Sequence, residues 1–370
     1  MEKRKFGKTG LETSALGFGG FHLLEIPVKD AGLLLNTYLD AGGNYIETAA
    51  AYGDGESELK IGKTISARRK EYILATKTGE RKKEGFIASL DRSLRNLNTD
   101  YVDLILMHSV GTMEELDTIL GPGGAIEGYE EAKRSEKAGF VGISMHGQPD
   151  VLTAALKKYP FDAVMSTINY YDRFNFPEIE GELIPLAQEK GTAIILMKPL
   201  ADGLLWKSAP QAFKYALSQP VSVVVTGMNN MDMLQQDLQY ANDFSPITDV
   251  ELEEIYKDAP ELGNYVCRQC KLCDICPEGV PISEIFLYEG YFDRQLATGV
   301  VNDVAEYALR ERLRFWFGNK GMAEDRYSKL HTKADKCTKC GVCMQTCPYG
   351  IDIIRKLEFA DYKLAGKKMF

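Results

Sequence analysis

From residue 15 to residue 241, short apolar runs rich in β-branched residues alternate with longer amphipathic stretches. The runs ALGFGG (15–20), NYIETA (44–49), EYILATK (71–77) and VDLILMH (102–108) read as strands. So do GFVGISM (139–145), DAVMSTI (162–168), TAIILMK (192–198) and VSVVVTG (221–227). Between them lie helical patterns such as EGFIASLDRSLRNLN, where Phe86, Leu90, Leu94 and Leu97 recur at helical spacing, and EGYEEAKRSEKAG. Eight strands alternating with helices predict a (β/α)8 barrel, an α/β fold. No GxGxxG follows the first strand, which weakens the open dinucleotide-binding sheet as an alternative. An opening hairpin, RKFGKTGLETSAL, is placed to close the bottom of the barrel. Residues 244–262 read as a helix between breakers. The predicted division is therefore a barrel over 1–243, a linker helix over 244–262, and a separate domain over 263–370.

The 370 residues are 45% hydrophobic and 26% charged, the balance of an ordinary globular chain. A net charge of −9 argues against a general nucleic-acid binder. Residues 263–370 carry 17 basic and 14 acidic side chains, against 27 and 39 before them, so the two parts differ in composition. The longest apolar run, AIILMKPLADGLLW, is interrupted at Lys198 and Pro199, so no membrane span is expected. The first twenty residues lack the apolar stretch of a secretory signal, which makes the expected location cytoplasmic.

All eight cysteines lie beyond residue 266, in two groups of four. Scattered disulfides do not look like this, and tight clustering points to metal. Cys337, Cys340, Cys343 and Cys347, followed by Pro348, form a C-x2-C-x2-C-x3-C-P run. Cys267, Cys270, Cys273 and Cys276, followed by Pro277, repeat it with a last spacing one residue shorter. A cubane cluster needs four converging thiolates, and two-residue spacings let a short loop supply three. Zinc ribbons use two pairs about 15–20 residues apart, which fits poorly. Two [4Fe–4S] clusters are expected. The runs resemble those of two-cluster bacterial ferredoxins, in which the fourth cysteine of each run ligates the other cluster. That resemblance implies one set of Cys267, Cys270, Cys273 and Cys347, and another of Cys337, Cys340, Cys343 and Cys276. The shorter spacing leaves uncrossed ligation open. The intervening segment carries a helical stripe, Leu309, Leu313, Trp316 and Phe317, expected to pack a mainly helical ferredoxin-like domain.

Barrel chemistry sits at the C-terminal strand ends. The polar residues there are Glu47 and Tyr52 after the second strand, Lys77 after the third and His108 after the fourth. A phenol has a pKa near 10, too high for an acid at neutral pH, and a neighbouring ammonium lowers it. A carboxylate orients the ammonium, and the histidine hydrogen-bonds the substrate oxygen. Such a group protonates an alkoxide as hydride reaches carbon.

With these residues the chain resembles the aldo/keto reductases over roughly residues 3–260. The marks are RKFGKTGLETSALGFGG, GGNYIETAAAYGDGESE, ATKTG, DLILMH, VGIS, MKPLADG and VVVTGM. The resemblance implies carbonyl reduction, or its reverse, with a nicotinamide cofactor. The family's acid tyrosine falls on Tyr52, its lysine on Lys77 and its histidine on His108. Its aspartate falls on Glu47, longer by one methylene. The cysteine-rich tail matches the branch with a C-terminal ferredoxin-type domain. The same resemblance puts nicotinamide contacts at Ser144 and Asn169, with Met165 where many members have Gln. Gly19 and Gly20 would admit the cofactor at the first strand end. Lys198, Leu200 and Gly203, with Thr226, Gly227 and Met228, would line the pyrophosphate and adenosine channel. Asp237 stands where many members have an adenine-binding Asn. Gly227 and Met233 occupy the positions of the usual 2′-phosphate cations, and residues 226–240 hold Asp232 and Asp237 but no Lys or Arg. NADH is therefore expected over NADPH.

The leading expectation is an oxidoreductase for a small carbonyl or alcohol, exchanging single electrons through its clusters with a protein carrier such as ferredoxin. The alternatives are an electron-transfer or sensing subunit whose barrel is a docking module, and an enzyme whose clusters are structural.

Overall fold

The structure, a computed structural model, describes residues 1–147, 149–296 and 319–366. The stripe of Leu309, Leu313, Trp316 and Phe317 lies outside the described residues. All eight expected barrel strands form. They are β3 (Leu16–Gly19), β4 (Tyr45–Glu47), β5 (Ile73–Thr78), β6 (Val102–Met107), β7 (Ala138–Ser144), β8 (Ala163–Thr167), β9 (Ala193–Met197) and β10 (Val223–Gly227). They pair in parallel and in sequence order, and β10 closes on β3. The hairpin of β1 (Lys3–Lys5) and β2 (Glu12–Ser14) precedes them, with Lys3 opposite Ser14. The left-handed residues of its turn are Gly7, at φ +55°, and Gly10, at φ +81°.

Alternate strand residues point inward and fill the barrel. Tyr45, Ala75, Leu104, Leu106, Met165 and Ile195 belong to one buried cluster, and Phe6 of the hairpin enters it from below. The interior is thus packed rather than open. Outside, the helix Lys83–Leu97 buries the stripe read from its spacing, Phe86, Leu90, Leu94 and Leu97.

The chain forms two compact units. The first holds the barrel: Met1–Ile168, Glu178–Pro199 and Phe213–Pro246. The second holds Ile247–Phe370 together with two barrel loops, Asn169–Pro177 and Leu200–Ala212. Its described helices are Asp249–Asp258, Ile282–Asp293, Lys320–Ser328 and Ile353–Leu364. The first of these begins at a capping box, with Thr248 and Glu251 satisfying each other's backbone N–H. In the second unit, the buried Glu289 carboxylate meets Lys356 at 2.7 Å and Lys363 at 2.6 Å and accepts the Tyr265 hydroxyl at 2.6 Å. Among the described residues, no helix is long and apolar enough to cross a membrane.

Candidate functional site

Strand register assembles the polar quartet. Glu47 lies beside Ala75 across β4 and β5, and Lys77 beside Leu106 across β5 and β6. The ladder runs on past the strand ends. Ala50 N–H donates to the Lys77 carbonyl and His108 N–H to that of Thr78. Those bonds fix the first residues of the loops that carry Tyr52 and His108. Lys77 Nζ donates to the Tyr52 hydroxyl and to the Thr48 carbonyl, each at 2.9 Å. Glu47 Oε1 contacts Lys77 Nζ and accepts the Tyr52 hydroxyl at 3.5 Å. The His108 ring stands edge-on to that of Tyr52, 5.9 Å between centroids, and Phe21 does the same at 5.1 Å. Glu47 and Lys77 are buried, whereas Tyr52 and His108 remain partly exposed. The ion pair is sealed beneath two groups that open outward.

Burial pushes the Tyr52 phenol above its ordinary value and the Lys77 ammonium well below its own. The Glu47 carboxylate opposes the second shift by direct contact. This corrects the sequence expectation of a lowered tyrosine pKa: desolvation outweighs the pull of the ammonium, so Tyr52 rests as the neutral phenol. Burial, with the nearby cations Lys77 and Arg81, pushes His108 down to about 3. Its imidazole is neutral at physiological pH.

A consequence for stability follows. The folded pKa of His108 is depressed from 6.5 to about 3, so the unfolded chain takes up a proton that the folded chain refuses. The stabilising contribution is complete above pH 6.5 and is lost as pH falls toward 3. His108→Gln is expected to flatten the acid-side fall of Tm between pH 6.5 and pH 4. An unchanged slope would remove His108 from that account.

Arg81 escaped the sequence reading. Arg81 donates to the carbonyls of His108 at 2.8 Å and Ser109 at 3.2 Å, and it pairs with Glu115 at 3.1 Å. Glu115 in turn accepts the Gly111 N–H at 2.8 Å. This brace sets the His108 loop, and a lone arginine after a strand carries no signal for it.

The expected cofactor residues are dispersed and largely engaged. Ser144 Oγ donates to the Met107 carbonyl at 3.3 Å and accepts the Ser109 N–H at 3.1 Å. A Cβ on Gly19 would meet the Thr226 carbonyl at 2.9 Å, and one on Gly20 the Glu47 carbonyl at 2.9 Å. These glycines are needed for strand packing, a reason independent of any ligand. Thr226 donates to Asp237 at 2.8 Å, and burial raises that carboxyl to about 7. Met228 is fully buried. Gly227 ends β10, and the helix Met231–Asn242 begins just after it, capped by Asn230. Lys198 follows β9 with a left-handed φ of +60°. Asn169, Leu200 and Gly203 belong to the second unit. There Asn169 donates to Asp172 at 2.6 Å, and Asp172 holds Arg294 through two bonds of 2.7 Å. Sequence reading missed that pair as well.

In the second unit, Cys267, Cys270, Cys273 and Cys347 line one cavity. Burial pushes the Cys267 thiol up to about 11; neighbouring Cys270 and Cys347 add to this and Lys356 opposes it. Burial likewise raises Cys343, and Cys337, Cys276 and Cys340 act on it in the same sense. Cys347 thus lies with the first run's first three cysteines, and Cys276 is near enough to Cys343 to act on it. Among the described residues, no three His, Cys, Asp or Glu side chains converge to hold a single metal ion. The two loops share a backbone. Gln269 and Lys339 have φ of +56° and +58°, Lys271 and Gly341 +62° and +80°, and Gly279 and Gly350 +69° and +66°. Left-handed residues in short loops favour concavities of backbone N–H groups that suit an anion.

Residues 15–211 match the aldo/keto reductase family, and residues 332–351 match a 4Fe–4S binding domain. The chain is 29% identical over 294 residues to the uncharacterized oxidoreductase YqkF of Bacillus subtilis, covering 65% of this chain and 92% of that one. It is 34% identical over 225 residues to L-galactose dehydrogenase of Arabidopsis thaliana, covering 57% and 69%. Among solved structures, aldo-keto reductase AKR11C1 of Bacillus halodurans superposes with a TM-score of 0.60 at 28% identity, over 70% of this chain and 96% of that one. With the closed barrel and the cysteine-lined cavity already in view, these matches make the chain a member of the aldo/keto reductase family that carries a C-terminal 4Fe–4S domain.

Proposed function

We propose that this chain is a nicotinamide-dependent oxidoreductase acting on a small carbonyl or alcohol, with Tyr52 as the acid and base. The observation that carries the reading is the 2.9 Å bond from Lys77 Nζ to the Tyr52 hydroxyl, backed by the buried Glu47. A bound nicotinamide supplies or accepts the hydride. Tyr52 gives its proton to the carbonyl oxygen, and the Lys77 ammonium stabilises the phenolate left behind. Neutral His108 donates a hydrogen bond to the same oxygen and orients it. In the reverse direction the phenolate takes the alcohol proton. The β10 rim, with Gly227 and the N-terminus of the helix Met231–Asn242, suits a phosphate group.

The second unit is read as carrying two [4Fe–4S] clusters on crossed ligand sets, supported by the shared backbone of the two cysteine loops. The clusters would supply one-electron transfer, with a protein carrier such as a ferredoxin as partner. The test is anaerobic turnover of NADH with a panel of aldehydes and ketones. Absence of turnover across the panel would favour a docking-module barrel. Turnover unaffected by cluster loss would make the clusters structural.

NADH is expected to bind at least tenfold more tightly than NADPH. Near the β10 rim, Glu25 accepts Asn229 Nδ2 at 2.7 Å, and Asp232 lies in the first turn of the following helix. Carboxylates suit ribose hydroxyls and repel a 2′-phosphate. Paired dissociation constants measured anaerobically decide it, and tighter NADPH binding reverses the assignment.

A further inference from the structure

The two cysteine groups are one motif used twice, but the charges around them are not repeated. The first three cysteines of each group are offset by 70 residues, and from the fourth cysteine the offset is 71. That second offset carries Gly279 onto Gly350 and the helix start at Ile282 onto that at Ile353. By the same offsets, Arg268 corresponds to Thr338, Lys271 to Gly341, Tyr349 to Glu278 and Lys356 to Ile285. Each of these differences makes the surroundings of the Cys267 cavity more positive than those of its counterpart.

Arg268 is the decisive one. It is 7% exposed and lines the cavity with Cys267, Cys270, Cys273 and Cys347. Its guanidinium donates to the carbonyls of Tyr256 at 3.1 Å, Leu262 at 3.3 Å and Val266 at 2.5 Å, and stacks 4.7 Å from the Tyr349 ring. Among the described residues no carboxylate pairs with it. A buried guanidinium without a counter-ion is expensive, and arginine does not escape by losing its proton. The missing negative charge is what four thiolates around a cubane provide. Lys356 adds to this. Its ammonium lies 4.9 Å from the ring of Phe286, which lines the same cavity, although Glu289 at 2.7 Å offsets it.

The charges that work the other way are exposed, as Lys271 is, so the buried Arg268 carries the comparison. Asp274 acts on Cys273, but its oxygens accept the Ser283 N–H and hydroxyl. Beside the second group, Lys336 and Lys339 face solvent, and Lys339 is spent on Glu358 at 2.6 Å. Solvent screens such charges far more than it screens a buried one.

We propose that Arg268 is the counter-charge of the cluster held by Cys267, Cys270, Cys273 and Cys347, and that it keeps this cluster at a higher reduction potential than the other. One electron added to the oxidised protein, with dithionite as donor, then resides at the Arg268 side. This builds on the two-cluster reading above, and the test separates the two. The full chain is reconstituted anaerobically and titrated stepwise while electron paramagnetic resonance counts spins. Two spins per chain are expected, in two one-electron waves at least about 59 mV apart, a tenfold difference in oxidised-to-reduced ratio. Arg268→Gln should lower the upper wave by a further tenfold in that ratio and leave the lower wave in place. Arg268→Lys, which keeps the charge, should restore most of it. Two spins in a single wave in the wild type, or both waves moving together in Arg268→Gln, would overturn the proposal. If Arg268→Gln fails to hold iron, the wild-type separation and the Arg268→Lys titration still decide. One spin and about four irons per chain would instead defeat the two-cluster reading itself.

Discussion

Tyr52→Phe is expected to lower carbonyl turnover by about 10² or more, the scale of a general acid's contribution. The substitution removes one oxygen and keeps the ring, so the edge-on contacts with Phe21 and His108 survive. What disappears is the proton donor and the partner of Lys77 at 2.9 Å. Cofactor affinity should change little, so the loss should fall on kcat rather than on binding. The phenol is held above its ordinary pKa by burial, so titration of Tyr52 itself should cause no alkaline loss of reduction below about pH 10, and any such loss reports the Lys77 ammonium, which burial pushes down. Full activity in Tyr52→Phe would sink the acid assignment. Glu47→Asp, by contrast, keeps the charge against Lys77 and should be tolerated.

Cys347→Ser is expected to cut iron and labile sulfide from about eight each per chain to about four. The identity of the lost cluster carries the information. Cys347 lies in the cavity of Cys267, Cys270 and Cys273, although it is the terminal residue of the other run. Crossed ligation therefore removes the cluster on the Arg268 side, and the upper redox wave should vanish while the lower persists. Local ligation would remove the lower wave instead. Cys276→Ser, at a residue that acts electrostatically on Cys343, should give the mirror result. Retention of all the iron in either variant would show that the fourth ligand comes from elsewhere.

The fold was readable because barrel strands announce themselves locally. Each of the eight is a short apolar run between helical patterns, and all eight formed within a few residues of their expected bounds. The quartet was readable for the same reason. Consecutive strands of a barrel are neighbours, so Glu47, Lys77 and His108 at successive strand ends are bound to meet. The cysteine groups were legible without any fold, since their spacing alone marks them, and residues 332–351 around the second group match a 4Fe–4S binding domain.

Three things needed tertiary structure, each because it depends on surroundings rather than on order in the chain. The direction of the Tyr52 shift was one. Proximity of Lys77 was legible, but the burial that reverses the shift belongs to the packed site. The brace from Arg81 to the His108 carbonyl was another, spanning 27 residues through a backbone acceptor that any sequence would offer. The last was the position of Cys347 in the cavity of Cys267, Cys270 and Cys273, with buried Arg268 beside it and neutral Thr338 at the matching place in the other loop. Spacing names the ligands of a cluster, but only the folded chain decides which charges stand next to it, because desolvation and Coulomb energy depend on distance in space.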